Sequence, residues 1–421
     1  MDADVIVIGA GLSGLACALR LHQGGLTPLV LEAADRPGGR IATDRLDGFQ
    51  LDRGFQVLQT WYPQARRLLD YPALDLRAFY PGALVRIDDR FHRVSDVWRR
   101  PGRALEMLAS PVGSLGDKLR LLALRQHALA GDIADLYLRP ETTAIQRLRD
   151  LGFSSRMIER FFRPFFAGVF FAPDLDVSSR AFEFVFRAFA LGDTALPALG
   201  MEQIPLQLAA RLPADAIAYG RRVARIEDGA VVLDGGERHT ARAVVLATGS
   251  REAAGLLGQD PPPMCGTTCL YFAAPQPPLS GPYLVLNGGS PAAHGGPINS
   301  LLCPSNLSAA YAPPGSALVS VNCFGADTEP DLLEAQVRRQ LTDWYGERVA
   351  GWRRLAVYRL PDALPRQRPP VCAGASASRV SETLWVCGET VAPPSIHWAL
   401  ASGEAAASSV LDTLGGSARV G

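Results

Sequence analysis

Residues 4–14 read Asp4-Val5-Ile6-Val7-Ile8-Gly9-Ala10-Gly11-Leu12-Ser13-Gly14, and they decide the fold. A short β-branched run closing on glycine predicts a strand buried on both faces, as in a parallel sheet. The stretch from Leu15 to His22 that follows predicts a helix. Gly9 then permits the tight turn between them, and Gly11 lets a pyrophosphate approach the backbone. Gly14 lets the helix pack close on the strand, while the helix amino terminus presents N–H groups and a positive dipole end to phosphate. A second apolar run, Pro28-Leu29-Val30-Leu31, ends at Glu32, eighteen residues beyond Gly14. An acid there is placed to accept hydrogen bonds from the ribose hydroxyls of an adenosine. Strand, glycines, helix and acid together predict a dinucleotide-binding unit.

After Glu32 come Ala33-Ala34-Asp35-Arg36-Pro37-Gly38-Gly39-Arg40. Here the chain resembles the flavin amine oxidase superfamily, which includes amine oxidases, protoporphyrinogen oxidases and phytoene (carotenoid) desaturases. The resemblance implies FAD as the dinucleotide. It implies that Gly39 lies along the cofactor, that Arg40 approaches the diphosphate and that Arg36 flanks the adenosine. A guanidinium fork set against phosphate is sound chemistry in its own right. Leu51-Asp52-Arg53-Gly54-Phe55-Gln56 resembles the family's next flavin-proximal loop, with Gly54 and Phe55 at the cofactor.

Two further blocks extend the resemblance along the chain. Leu196-Pro197-Ala198-Leu199-Gly200-Met201 precedes a predicted helix and then the strands Arg222 to Ile226, Val231 to Leu233 and Ala243 to Thr248. By resemblance the Val223 backbone contacts adenine, and Ala247-Thr248-Gly249 lies near the diphosphate. Towards the carboxyl end, the strand Thr383 to Cys387 closes on Gly388-Glu389, and Pro393-Pro394-Ser395 opens a helix from Ile396 to about Leu411. In the family this acid and glycine meet the ribityl-diphosphate, and the helix amino terminus points at the flavin's pyrimidine end. Such a dipole stabilises anionic reduced flavin. Backbone N–H groups near Ser395, Ile396 and His397 are its candidates, and the His397 side chain is the one weak candidate for a catalytic group.

Cofactor motifs at residues 9 and 388 imply a discontinuous domain. The expected architecture is a Rossmann-type α/β FAD domain with a three-layer core, formed by 1–80, 196–256 and 360–421. A mixed α+β substrate domain would take 81–195 and 257–359. Its predicted helices are Arg103 to Leu108, Leu115 to Gly131, Thr142 to Leu151, Arg156 to Phe166 and Asp331 to Tyr345. Its predicted strands are 267–274, 283–287, 317–324 and Arg354 to Tyr358.

Within that domain, Phe161 to Phe171 contains six phenylalanines in eleven residues. Core packing, the wall of an aromatic substrate tunnel and a bilayer-docking surface all fit such a cluster. Two absences bear on chemistry. No second glycine motif occurs, so electrons are expected to pass to oxygen or a quinone rather than to exchange with a nicotinamide. Many amine oxidases of the superfamily hold a lysine that binds water near flavin N5, and the single lysine here is Lys118, in an arginine-rich helical stretch. Tyr358-Arg359-Leu360-Pro361-Asp362-Ala363-Leu364-Pro365 resembles the desaturase and protoporphyrinogen oxidase side and contains no cysteine, which implies non-covalent FAD.

Composition closes off other classes. Formal net charge is +0, so no overall field favours nucleic acid. The seven scattered cysteines (Cys17, Cys265, Cys269, Cys303, Cys323, Cys372 and Cys387) form neither a disulfide framework nor a zinc-ligand spacing. The run Val5 to Ile8 is too short for a secretory signal, and no stretch reaches the roughly 18 apolar residues of a membrane span. The expectation is a cytoplasmic flavoprotein, with peripheral membrane contact left open. Its reaction is expected to be hydride removal from a C–H bond of a large apolar substrate. Amine oxidation yielding hydrogen peroxide, redox-neutral isomerisation and a flavin-binding assembly role remain alternatives.

Overall fold

The computed structural model describes residues 3–289, 296–371 and 378–416. Its first strand, β1 (Val5–Ile8), is buried along its whole length and is flanked on both sides by parallel partners. Val5 lies opposite Ala243 on one side and Pro28 on the other. Helix α1 (Leu12–Gln23) follows, then β2 (Pro28–Leu31). The sheet runs Ile217–Ala218, β2, β1, Ala243–Leu246, Leu384–Val386 and Ser378–Arg379, and only the last strand is antiparallel. Strands from both ends of the chain therefore share one sheet, with Ala243–Leu246 between them, the discontinuous arrangement expected above.

Alternation along β1 builds three layers. Val5 and Val7 join the core that holds Leu15 of α1 with Ala406 and Ala407 of the last helix, Ile396–Gly416. Ile6 and Ile8 face the other way, onto Val231 and Leu233 of a small antiparallel sheet formed by Val223–Glu227, Ala230–Leu233 and Arg238–Thr240. Side chains of a strand point to opposite faces in turn, so an all-apolar strand must be covered on both.

The second unit is a seven-stranded mixed sheet. Its order is Arg353–Pro365, Met264–Ala274, Ala317–Phe324, Ile298–Leu302, Leu284–Asn287, Gly82–Ile87 and Arg90–Ser95. The helix Arg163–Phe170 packs on Leu284–Asn287 and Ile298–Leu302.

Several elements differ from the sequence expectation, three of them near the site. Arg156 to Phe166 is not one helix: Ser155–Met157 passes through a π-turn, Ile158–Phe162, into Arg163–Phe170. Pro164 has no N–H to give the carbonyl four residues back, so the regular ladder cannot run through it. A further helix, Ser179–Leu191, lies where the sequence reading sets no element. The strand expected at Arg354 to Tyr358 extends from Arg353 to Pro365, so the division proposed at residue 360 falls inside it.

Candidate functional site

A cavity of about 1540 Å³ lies against the carboxyl ends of the parallel strands. Gly9, Gly11, Leu12, Ser13, Glu32, Ala33, Gly39 and Arg40 line it, as do Gly54, Phe55, Val223, Ala247 and Thr248. Gly388, Glu389, Ser395 and Ile396 complete the set from the carboxyl end of the chain. Gly14 packs instead: a Cβ there would lie 1.9 Å from the Gly9 carbonyl oxygen. Gly9 itself holds φ at +103°, which L side chains avoid.

Glu32 is fixed by two backbone donors, Ala10 N–H at 2.6 Å and Ala34 N–H at 2.8 Å. That pins the carboxylate at the end of β2, over the turn that carries the glycines. A Cβ at Gly11 would meet nothing within 4 Å, so its backbone borders open space. Glycine-lined backbone at a helix amino terminus, an oriented acid and the Arg40 guanidinium form a donor set that fits the diphosphate and ribose of FAD.

Arg40 forms an ion pair with Glu389 and donates to the Ala363 carbonyl at 2.6 Å. Ser250 holds the other oxygen of Glu389 through its N–H at 3.0 Å and its hydroxyl at 3.1 Å. Segments near residues 40, 250, 363 and 389 are thus tied together at the cavity wall. The loop Arg53-Gly54-Phe55 is anchored from behind by Asp52, which accepts from Thr43 Oγ1 at 2.6 Å, Met201 N–H at 2.9 Å and Tyr311 OH at 2.8 Å. Burial pushes the Asp52 carboxyl above its ordinary range, against the pull of those donors.

Arg36 is not among the lining residues. It pairs with Asp44 at 2.6 Å, an acid that also holds Arg53 and accepts from Tyr358 OH at 2.8 Å. Hydrogen bonds from those three side chains hold Asp44 well below the usual carboxylate range although its burial acts the other way. His397 also lies off the cavity wall, buried among Tyr62, Phe184 and Trp398 with ring centroids 4.7–5.8 Å away. Burial lowers its pKa to about 4.

The same cavity is walled by Phe161, Phe165, Phe166, Phe170 and Phe171. Phe162 points into the core, with its ring 4.8 Å from Phe153 and 6.3 Å from Phe182. None of the six phenylalanines is exposed, so this segment presents no face to a bilayer. Lys118 lines the cavity as well, among Leu115, Leu119 and Leu122 of the helix Leu115–Leu129. Lys118 lies far along the chain from where the family's lysine motif falls, yet it reaches the cavity wall.

Several lining residues escaped the sequence reading: Ser250, Thr267, Asn299 and Arg221. Ser250 follows Gly249 at a helix start, a signal that could have been read. Thr267 and Asn299 lie within strands, and only the register of the sheet turns them to the cavity. Among the described residues there is no metal-binding cluster, and the six described cysteines are buried and free. Cys372 lies outside the described residues.

A nucleotide cradle that opens into an apolar chamber under a second sheet is the arrangement of a flavin-dependent oxidoreductase. The chain belongs to the flavin-containing amine oxidoreductase family, whose model matches residues 12–411. A putative protoporphyrinogen oxidase from Exiguobacterium sp. 255-15 superposes with a TM-score of 0.71 at 18% identity, covering 98% of this chain and 99% of that one. Cyclohexylamine oxidase from Brevibacterium oxydans IH-35A gives 0.69 at 18% identity, covering 99% and 100%. Sequence relatives match over short segments. A coproporphyrinogen III oxidase from Propionibacterium freudenreichii subsp. freudenreichii is 33% identical over 78 residues, 18% of this chain and 15% of that protein. Amine oxidase [flavin-containing] B from Sus scrofa is 57% identical over 42 residues, 10% of this chain and 8% of that protein. The first of these sequence relatives, a possible lysine-specific histone demethylase 1 from Drosophila melanogaster, is matched over only 7% of its length.

Proposed function

We propose that this protein binds FAD non-covalently and oxidises a C–H bond of a large, apolar small molecule of polyene or isoprenoid type. The observation that carries the reading is the wall of Phe161, Phe165, Phe166, Phe170 and Phe171 in the cavity that also holds the nucleotide cradle. No carboxylate interrupts that stretch. Glu159 at its edge is held by Arg163 through two bonds of 2.7 and 3.0 Å. An amine substrate would want a carboxylate or an aromatic cage about its nitrogen.

When bound, FAD supplies the hydride acceptor and the route for two electrons to oxygen or a quinone. The chain's own contribution is binding, orientation and exclusion of water. Arg40, Glu32 and the amino terminus of α1 hold the diphosphate and ribose. The backbone at Ser395 and Ile396, opening the helix Ile396–Gly416, turns a positive dipole end toward the cavity. The phenylalanines hold the substrate body with little rotamer entropy to lose. We assign His397 to packing, since its ring sits off the wall and burial keeps it neutral. None of the described cysteines lines the cavity, which supports a non-covalent cofactor.

Anaerobic mixing of FAD-loaded protein with polyenes, porphyrinogens and primary to tertiary amines tests the reading. Flavin bleaching by the apolar compounds alone is expected. Bleaching by a small amine supports the second reading, amine oxidation with release of hydrogen peroxide, which the names of several relatives favour. Conversion of a polyene without acceptor consumption would assign a redox-neutral isomerase instead.

A further inference from the structure

We propose that Trp98, Leu105, Leu115, Leu119 and Leu122 form a docking face for a bilayer containing anionic lipid, from which apolar substrate enters the cavity. The inference rests on the apolar-substrate reading for its purpose, but its evidence is separate. The helix Leu115–Leu129 carries two opposed apolar stripes. Leu124 and Ala128 are buried, facing the core. Leu115, Leu119 and Leu122, at i, i+4 and i+7, lie together on the other side with exposures of 64%, 67% and 41%. A helix that meets water on its outer side should be polar there. Leu105 on the preceding helix is 81% exposed and Trp98 is 43% exposed.

These side chains are not an isolated patch. Trp98, Leu115, Leu119 and Leu122 are also lining residues of the cavity, so its mouth opens through them. A route for an apolar molecule between a bilayer and the phenylalanine wall would need apolar surface at this point.

Charge selects the occupant. The chain as a whole is neutral, yet from Trp98 to Arg125 it has six basic residues and two acidic ones, Glu106 and Asp117. Asp117 is turned inward, where it accepts from Ser114 N–H and Ser154 N–H, each at 2.7 Å. Arg100, Arg103 and Arg120 are exposed on this segment, with Arg103 paired to Glu106 at 3.1 Å, and the Arg125 guanidinium lies 4.6 Å over the Trp98 ring. Exposed apolar side chains on a segment with excess basic charge match an acyl surface under anionic headgroups, and an indole suits the boundary between them.

The test is co-sedimentation of the FAD-loaded protein with vesicles. One set is pure phosphatidylcholine, and the other holds equal parts of phosphatidylcholine and phosphatidylglycerol. Partition onto the anionic set is expected, weakened by salt, and reduced about tenfold or more in a Leu115→Ser/Leu119→Asp variant. Leu332→Ser, a substitution at another exposed leucine, should partition as the parent does. If the double leucine variant loses FAD or fold, Arg100→Ala/Arg120→Ala serves, with the same loss expected on anionic vesicles. Equal partition of parent and variants overturns the proposal. So does a parent that ignores vesicles but forms dimers that Leu119→Asp dissociates, which would give the face to a second copy. Detergent-dispersed polyene separates the two readings: flavin bleaching there without vesicle binding removes the docking face alone, and vesicle binding without bleaching removes the substrate reading alone.

Discussion

Gly403, in the last helix, lies so close to Ser13, in the first, that a Cβ at Gly403 would sit 2.1 Å from the Ser13 carbonyl oxygen. The same atom would be 3.1 Å from the Cys17 backbone nitrogen. Backbone against backbone leaves nothing flexible to yield, so the glycine sets the distance between α1 and the helix Ile396–Gly416. That distance in turn sets how both helix amino termini meet the cavity. Gly403→Val should cost about 1–3 kcal/mol of stability by overpacking and lower FAD retention. Thermal unfolding and flavin-to-protein absorbance ratios measure both; a variant with parental values in each would contradict the packing.

Gly11→Val separates binding from folding. No atom lies within 4 Å of the position its Cβ would take, so the fold should persist. The new side chain would occupy volume beside the backbone that the pyrophosphate requires. Parental far-ultraviolet dichroism with loss of bound FAD is the expected pair of results, and normal flavin content would move the nucleotide site elsewhere.

Neighbouring phenylalanines should behave differently. Phe162 is fully buried in the core, and Phe162→Ala should destabilise by about 3–5 kcal/mol. Phe165 lines the cavity, and Phe165→Ala should change stability less while weakening binding of an apolar ligand about tenfold, the equivalent of one lost aromatic contact. Denaturant midpoints and equilibrium titration with a polyene distinguish them. Equal stability losses with unchanged ligand affinity would return the whole segment to the core.

His397 predicts a pH effect of known sign. Burial lowers its pKa from 6.5 to about 4, so the folded protein resists protonation that the unfolded chain accepts. Stability contributed by the neutral ring is complete above pH 6.5 and is lost as pH falls toward 4, by up to roughly 3 kcal/mol. Across that window the melting temperature of the parent should fall relative to that of His397→Phe as the pH drops. Parallel curves would show that the imidazole does not titrate with folding.

Acid precipitation should release all of the flavin into the supernatant. Flavin kept in the pellet would reveal a covalent link that the buried positions of the described cysteines do not provide.

Much of the nucleotide site was legible along the chain because its demands are local. A turn at positive φ requires Gly9, close strand–helix packing requires Gly14, and Glu32 follows a strand of fixed rise from the same sheet. The closing motif at Gly388 and Glu389 was legible only through the resemblance, and its distance from Gly9 in sequence implied a discontinuous domain. Arg36 shows where that reading ends. The resemblance sets it beside the adenosine, whereas in the structure it pairs with Asp44 and does not line the cavity.

The sequence by itself determined the strand, glycine turn and helix of a dinucleotide-type unit, because these depend on backbone conformation and on spacing within a short segment. The flavin and the joining of the two chain ends were implied by its resemblance to the flavin amine oxidases. Only the tertiary structure decided which phenylalanines wall the cavity and which fill the core, that Lys118 and the leucines about it stand at the mouth, and that His397 is shut among aromatic rings. Those outcomes depend on which face of a helix another segment, often a hundred or more residues away, happens to cover. No pattern within the helix itself contains that information.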